Sequence, residues 1–222
     1  VFEMSQLKSS IPFPEIPYLE SIEDLVAVGG KLDVGTLLAA YSKGIFPWPQ
    51  AGAPLLWFFP EQRGVLDFAE LHIPESLYKF IKKNSYRFQF TVNEAFPKVI
   101  ESCQLQKRKD QPGTWIIPEL KRAYIEFHYA GYAHSIECWE DENLVGGVYG
   151  VLVNGVFSGE SMFHKTTNAS KISLIYLVDW LKQQGISWMD TQMVTPLLAS
   201  FGGKYITDRE YFDRLPETKV IS

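Results

Sequence analysis

Apolar and polar positions alternate most clearly between His134 and Gln192. Ile136 and Cys138 fall on one side and Ser135 and Glu137 on the other, the two-residue period of a half-buried strand. Two further apolar runs follow, Leu144 to Val153 and one that carries Glu160 late in its length. Asp141-Glu142-Asn143 and Asn154-Gly155 separate the three. Asn-Gly between apolar runs is a strong hairpin signal, because a type I′ turn needs positive φ at both central residues. The period then becomes helical. Asn168 is the expected N-cap, Gly185 the C′ stop, and a helix is predicted over 169–184. Its main apolar stripe is read as Ile172, Ile175, Tyr176 and Trp180, broadened by Leu174, Leu177 and Leu181. A last strand runs from Ile186 to Gln192. Strand, covering helix and strand predict a crossover between parallel neighbours. Gly146, Gly147 and Gly150 weaken their strand, so a bulge or a close backbone approach is expected there.

Residues 64–130 predict strand, helix, strand, helix: Gly64 to Phe68, Glu75 to Lys83, Tyr86 to Val92 and Asn93 to Gln104. A polar loop from Gln106 to Gly113, expected to be mobile, leads to a helix from Pro118 to about Ala130. Residues 1–63 differ. They hold Pro12, Pro14, Pro17, Pro47, Pro49, Pro54 and Pro60, and proline breaks periodic structure. Loops around one short helix are expected, Val34 to Ser42, capped by Asp33 and stopped by Gly44. After Gln192 come a loop, a short helix near Leu197, Gly202-Gly203 and a polar tail.

Composition narrows the classes. The chain has 222 residues, 46% of them hydrophobic, and no apolar run of membrane-spanning length. The first residues lack the layout of a signal peptide. Cys103 and Cys138 are read as reduced core residues. A net charge of −5 argues against coating nucleic acid through global charge, although Lys79, Lys82, Lys83 and Arg87, and Lys107, Arg108 and Lys109, form local basic clusters. The four histidines lack paired metal-ligand spacing, so no metal is expected.

The candidate chemistry is a pair of carboxylates. Trp188, Asp190 and Gln192 share one strand face by the two-residue period, and a polar pair there is tolerable where the strand end opens into a pocket. Asp190 alone reads equally as a turn cap, and Glu160 as a charge that protects an edge strand.

Several long stretches also match a known family in order. They are LVAVGGKLDVGTLLAAYSKGIFPW, PLLWFFPEQRGVL, GTWI at 113–116, AYIEFHYAGYAHSIECW, LVGGVYGV, VFSGESMF, NASK at 168–171 and MDTQ at 189–192. On these the chain resembles the leucyl/phenylalanyl-tRNA–protein transferases along nearly its whole length. The resemblance implies an α+β (mixed α/β) protein, with a small N-terminal domain, 1–63, packed on an acetyltransferase-like (GNAT-like) domain, 64–222, whose mixed sheet is flanked by helices. It implies transfer of Leu or Phe, and by pocket tolerance Met, from aminoacyl-tRNA to proteins with N-terminal Lys or Arg, in the N-degron pathway of protein degradation. No cofactor and no membrane are implied, and a cytoplasmic monomer is expected.

By the same resemblance Asp190 orients or polarises Gln192, Gln192 sits beside the attacking amine, and the proton leaves to Asp190 or water. Glu160 binds the positive acceptor end. Trp48 and Trp115 lie near the terminal adenosine of the tRNA. Val148, Phe157, Leu174 and Leu177 are candidates for the apolar donor pocket, although such a stripe is more often pure core. The chain departs from the family at Thr191, where Cys is usual and which is placed on the opposite strand face. It departs again at Leu197, where His is usual, and at Phe201-Gly202-Gly203, where Leu-Gly-Ala is usual. Two other classes compete. An acetyl-CoA-dependent acetyltransferase needs a Gly-rich pyrophosphate loop, and His164 to Ala169 holds none. A non-catalytic tRNA-binding module is the other.

Overall fold

The computed structural model describes residues 7–16, 24–50, 52–106 and 114–216. The loop expected between Gln106 and Gly113, with the Lys107-Arg108-Lys109 cluster, lies outside them beyond Gln106. Three short strands, β1 (Leu25–Val28), β2 (Phe46–Trp48) and β3 (Leu56–Phe58), form an antiparallel sheet in the order β1-β3-β2. Only loops were expected beside α1 (Val34–Tyr41). Phe46 and Trp48 stand in β2 and Trp57 and Phe58 in β3, where rings suit a pleated, half-buried surface. Asp33 caps α1 as expected, accepting from the Thr36 N–H at 2.8 Å.

The main sheet has seven strands. They are β4 (Gln62–Asp67), β5 (Gln89–Val92), β6 (Ala133–Glu140), β7 (Asn143–Val153), β8 (Val156–His164), β9 (Trp188–Gln192) and β10 (Lys204–Thr207). Their order is β10-β4-β9-β8-β7-β6-β5. All pairs are antiparallel except β8 with β9, which α5 (Ala169–Gln183) connects. Meander, covering helix and parallel return strand make the mixed, helix-flanked sheet that was expected. Both meander turns have positive φ at two residues, Asp141 and Glu142, then Asn154 and Gly155.

Helices cover both faces. The apolar residues of α3 (Phe96–Leu105) and α4 (Pro118–Tyr129) join one core, with Val99, Ile100, Leu120 and Phe127 buried. Phe46, Trp57 and Phe59 belong to that same core, so the N-terminal segment closes over this face. On the other face, α2 (Glu75–Asn84) and α5 build a second core with Leu77, Leu174, Leu177, Val178 and Leu181. Cys103 and Cys138 are both buried and are not joined in a disulfide.

Several expectations need correction. The buried stripe of α5 runs through Leu174, Leu177, Val178 and Leu181, whereas Tyr176 is exposed. Tyr176 instead stacks on Phe90, and Trp180 lies against His134, so both rings cover the sheet near β5 and β6. Asn168 occupies the N-cap position in a left-handed conformation and makes no side-chain cap. Ser85 to Arg87 is a 3-10 turn before β5, and Asn93 turns left-handed before α3 begins at Phe96. Beyond Gly203 the chain forms β10 and then α7 (Asp208–Arg214) rather than a tail, because Thr207 and Glu210 make a reciprocal capping box. Arg63, at the end of the proline-rich segment, lies in β4 of the main sheet.

Candidate active site

The parallel pairing of β8 and β9 covers only Phe157 with Met189 and Ser158 with Asp190. Beyond Ser158 and Asp190 the two strands separate. Each carries an irregularity against its outer neighbour at that point. In the β7–β8 register Tyr149 faces Ser161 and Gly150 faces Gly159, so Glu160 is the extra residue. In the β4–β9 register Gly64 faces Gln192 and Val65 faces Asp190, so Thr191 is the extra residue. A bulge bends its strand and re-aims the side chain it carries. Two glycines make room for this. A Cβ on Gly150 would lie 2.3 Å from the Ser158 carbonyl, and one on Gly64 would lie 2.7 Å from the Met193 carbonyl carbon. The interruption expected from glycines in β7 is therefore a bulge plus close packing.

A cavity of about 360 Å³ fills the gap. Val148, Met162, Leu174 and Met189 line it, as do Leu197 and Leu198 of the short helix α6 (Pro196–Ser200). Trp48 and Trp115 line it too, stacked with centroids 5.9 Å apart and planes 15° from parallel. The two tryptophans pack on the first core, and Val148, Leu174 and Met189 belong to the second, so the cavity passes through the sheet at the splay.

Glu160 and Gln192 meet across the opening. The Gln192 Nε2 donates to Glu160 Oε1 at 2.9 Å, and the Tyr41 hydroxyl of α1 donates to the same oxygen at 2.6 Å. Tyr41 is in turn hydrogen-bonded to the Tyr124 hydroxyl of α4. Burial pushes the Glu160 carboxyl up to about 7. The Tyr41 bond opposes this, Asp190 adds to it, and Gln192 and Arg63 oppose it again. Protein surrounds the group, yet the cavity leaves it partly accessible. Burial and the nearby Glu160 likewise raise the Tyr41 hydroxyl well above its ordinary value.

Asp190 stands one layer behind, fully buried and off the cavity wall. Its Oδ1 accepts from Arg63 Nε at 2.8 Å and from the Gln192 backbone N–H at 2.8 Å. Its Oδ2 accepts from Arg63 Nη2 at 2.6 Å, Ser158 Oγ at 3.0 Å and the Tyr211 hydroxyl at 3.0 Å. Burial alone would lower the Arg63 pKa, but the Asp190 carboxylate outweighs it and raises it. The guanidinium lies over the Phe46 and Tyr211 rings, 4.7 and 4.4 Å from their centroids. Five donors thus converge on the Asp190 carboxylate from within the protein. The Asp190 and Gln192 side chains do not bond side by side, because Gln192 leaves the strand at φ 60° and offers its backbone N–H instead.

Of the expected pocket residues, Val148 and Leu174 line the cavity and Phe157 and Leu177 do not. Phe157 lies below the splay, one pairing before the last parallel pair of Ser158 and Asp190, and Leu177 one helical turn past Leu174, both sealed in the second core. Met162 and Met189 line the wall in their stead. Thr191 is also a wall residue, buried, with its hydroxyl unpartnered among the described residues. Strand alternation had placed it away from the site, and the bulge overturns that parity. Arg63 and Tyr41 were missed. A lone arginine entering one apolar strand, set against a lone aspartate in another, was a usable signal for Arg63. Tyr41 had none, since an aromatic in an apolar helix reads as core.

No group of three or more His, Cys, Asp or Glu among the described residues is placed to hold a metal ion. The family described as leucyl/phenylalanyl-tRNA protein transferase matches residues 65–216, and its N-terminal domain matches residues 30–61. The chain belongs to that family. A leucyl/phenylalanyl-tRNA–protein transferase of Pseudoalteromonas atlantica is 46% identical over 98% of this chain and 92% of its own length. One from Anaeromyxobacter sp. strain K is 43% identical over 91% and 86%. Among solved structures, the chain is similar to L-PGS from Bacillus licheniformis over 67% of its own length and 48% of that chain, at 14% identity and a TM-score of 0.44. Membership of the leucyl/phenylalanyl-tRNA–protein transferases makes the chain an aminoacyltransferase.

Proposed function

We propose that the enzyme takes Leu or Phe from the 3′ end of its charged tRNA and joins it to the α-amine of a protein that begins with Lys or Arg. The observation that carries the reading is the Glu160–Gln192 pair at the opening of an apolar cavity beside two stacked tryptophans. The cavity wall of Val148, Met162, Leu174 and Met189 suits an uncharged, branched or aromatic side chain. A flat apolar wall discriminates by only ~1–3 kcal/mol per methylene, so Met is tolerated as a donor. Trp48 and Trp115 offer a platform for the terminal adenine, a contact worth ~1–3 kcal/mol per base.

In the reaction the acceptor nitrogen attacks the ester carbonyl carbon. Before attack the ammonium gives one proton to a base and becomes neutral; a C–N bond then forms, the C–O bond to the ribose breaks, and the second proton passes from nitrogen to the ribose oxygen. The donor is already activated, so holding the two substrates together supplies most of the acceleration, up to ~7–11 kcal/mol. Glu160 receives the cationic amine and takes its proton, a task matched to a carboxyl whose pKa lies near 7. Gln192 holds Glu160 and lies beside the nitrogen. Asp190, fixed by Arg63, positions Gln192 through its backbone N–H. The product carries a bulky apolar N-terminus, the mark that the N-degron pathway reads in bacteria. The test is transfer of labelled Leu from Leu-tRNA to a peptide starting with Lys or Arg. No transfer, with charging verified, overturns the reading.

A further inference from the structure

A second groove of about 460 Å³ shares Trp48, Gln192 and Met193 with the main cavity. Phe46, Phe58 and Tyr205 bring rings to its walls, and Asp24 is its only carboxylate or cationic group. Asp24 is exposed, its Oδ1 accepts from the Glu61 N–H at 3.0 Å, and no cation pairs with it among the described residues. Aromatic faces and one free carboxylate are the chemistry that receives a long cationic side chain. The stem lies on the rings and the head meets the charge.

The reaction joins two substrates, so two approaches must converge on one point. Gln192, with Trp48 and Met193, forms the wall that the cavity and the groove have in common. We propose that the groove is the acceptor subsite, and that Asp24 reads the side chain of an N-terminal Lys or Arg. The proposal rests on the aminoacyl-transfer reading above. An N-terminal basic residue carries two positive charges, one on the α-amine and one on the side chain. Two carboxylates stand ready on the two sides of Gln192. Glu160 lines the main cavity and meets the amine, while Asp24 lines the groove and meets the side chain. A neutral N-terminal residue leaves Asp24 without its partner. Selection for basic acceptors thus arises at a residue separate from the one that handles the proton.

The test is Asp24→Asn, which keeps the oxygen that accepts from the Glu61 N–H. Peptides beginning with Lys, Arg and norleucine are compared, the last having a chain of similar length and no charge. The variant is expected to raise KM for the Lys and Arg peptides about tenfold, the loss of one partly exposed charge-assisted hydrogen bond. The turnover number, KM for charged tRNA and all constants for the norleucine peptide stay unchanged. Calorimetry of the Lys peptide without tRNA is expected to show the same weakening. An unchanged KM and affinity for the Lys peptide would overturn the proposal. So would a change confined to KM for charged tRNA, which would place an RNA strand in the groove instead. Failure of the wild type to transfer at all sinks the underlying reaction, and calorimetry still judges the groove on its own.

Discussion

Glu160→Gln separates the stability of the fold from the demands of the site. In the folded protein the Glu160 carboxyl is pushed up to about 7, from an ordinary value of 4.5, chiefly by burial. The folded state therefore favours the protonated form. Its stabilisation is complete below pH 4.5 and is lost as pH rises through about 7. The 4.5-to-7 interval corresponds to at most about 3 kcal/mol, at about 1.4 kcal/mol for each tenfold change. Water entering the cavity screens one side of the carboxylate, so a loss of about 1.5–3 kcal/mol is expected. Glutamine has the same shape, still accepts from Tyr41 and does not ionise. Urea unfolding of both proteins from about pH 4 to 8.5 gives the comparison. The variant is expected to match the wild type near pH 4 and to exceed it progressively above about pH 5, while transfer activity is lost. Other groups titrate in both proteins and cancel in the difference. Parallel stability curves across that range would refute the assignment of a strained, functional carboxylate to this position.

Arg63→Met leaves Asp190 buried without its cation, which costs about 3–5 kcal/mol; chemical denaturation measures it, and adding Asp190→Asn should recover a large part, whereas an additive double variant would show that the pair is not coupled. Leu174→Ala enlarges the cavity at its apolar wall; competition between Leu-tRNA and Phe-tRNA should shift toward Phe by about 1–3 kcal/mol, and an unchanged ratio would remove Leu174 from the donor pocket. Trp115→Ala breaks the stacked pair and should raise KM for charged tRNA by the ~1–3 kcal/mol of one base stack, with KM for the peptide unmoved.

The architecture was largely legible because its signals are local. Alternation in β6, Asn154-Gly155 in the second hairpin and Gly185 after α5 each state a backbone preference within a few residues. The three short strands of the N-terminal segment were not legible. They are held by pairing between residues distant in the chain, such as Leu25 with Phe58, and prolines there mask the period. The site was legible in its residue types and not in its layering. Glu160, Gln192, Trp48, Trp115, Val148 and Leu174 do surround one cavity. Asp190 lies behind it, because its partner Arg63 arrives from a strand 127 residues earlier in the chain. Thr191 was misplaced for a different reason. Parity along a strand holds only while the register does, and one extra residue exchanges the faces.

The doorway between β8 and β9 is written in main-chain spacing rather than carved by side chains. Side chains around its rim, Thr191 and Leu197 among them, can be exchanged without closing the aperture. Substrate taste in this enzyme can drift without each change having to rebuild the entrance.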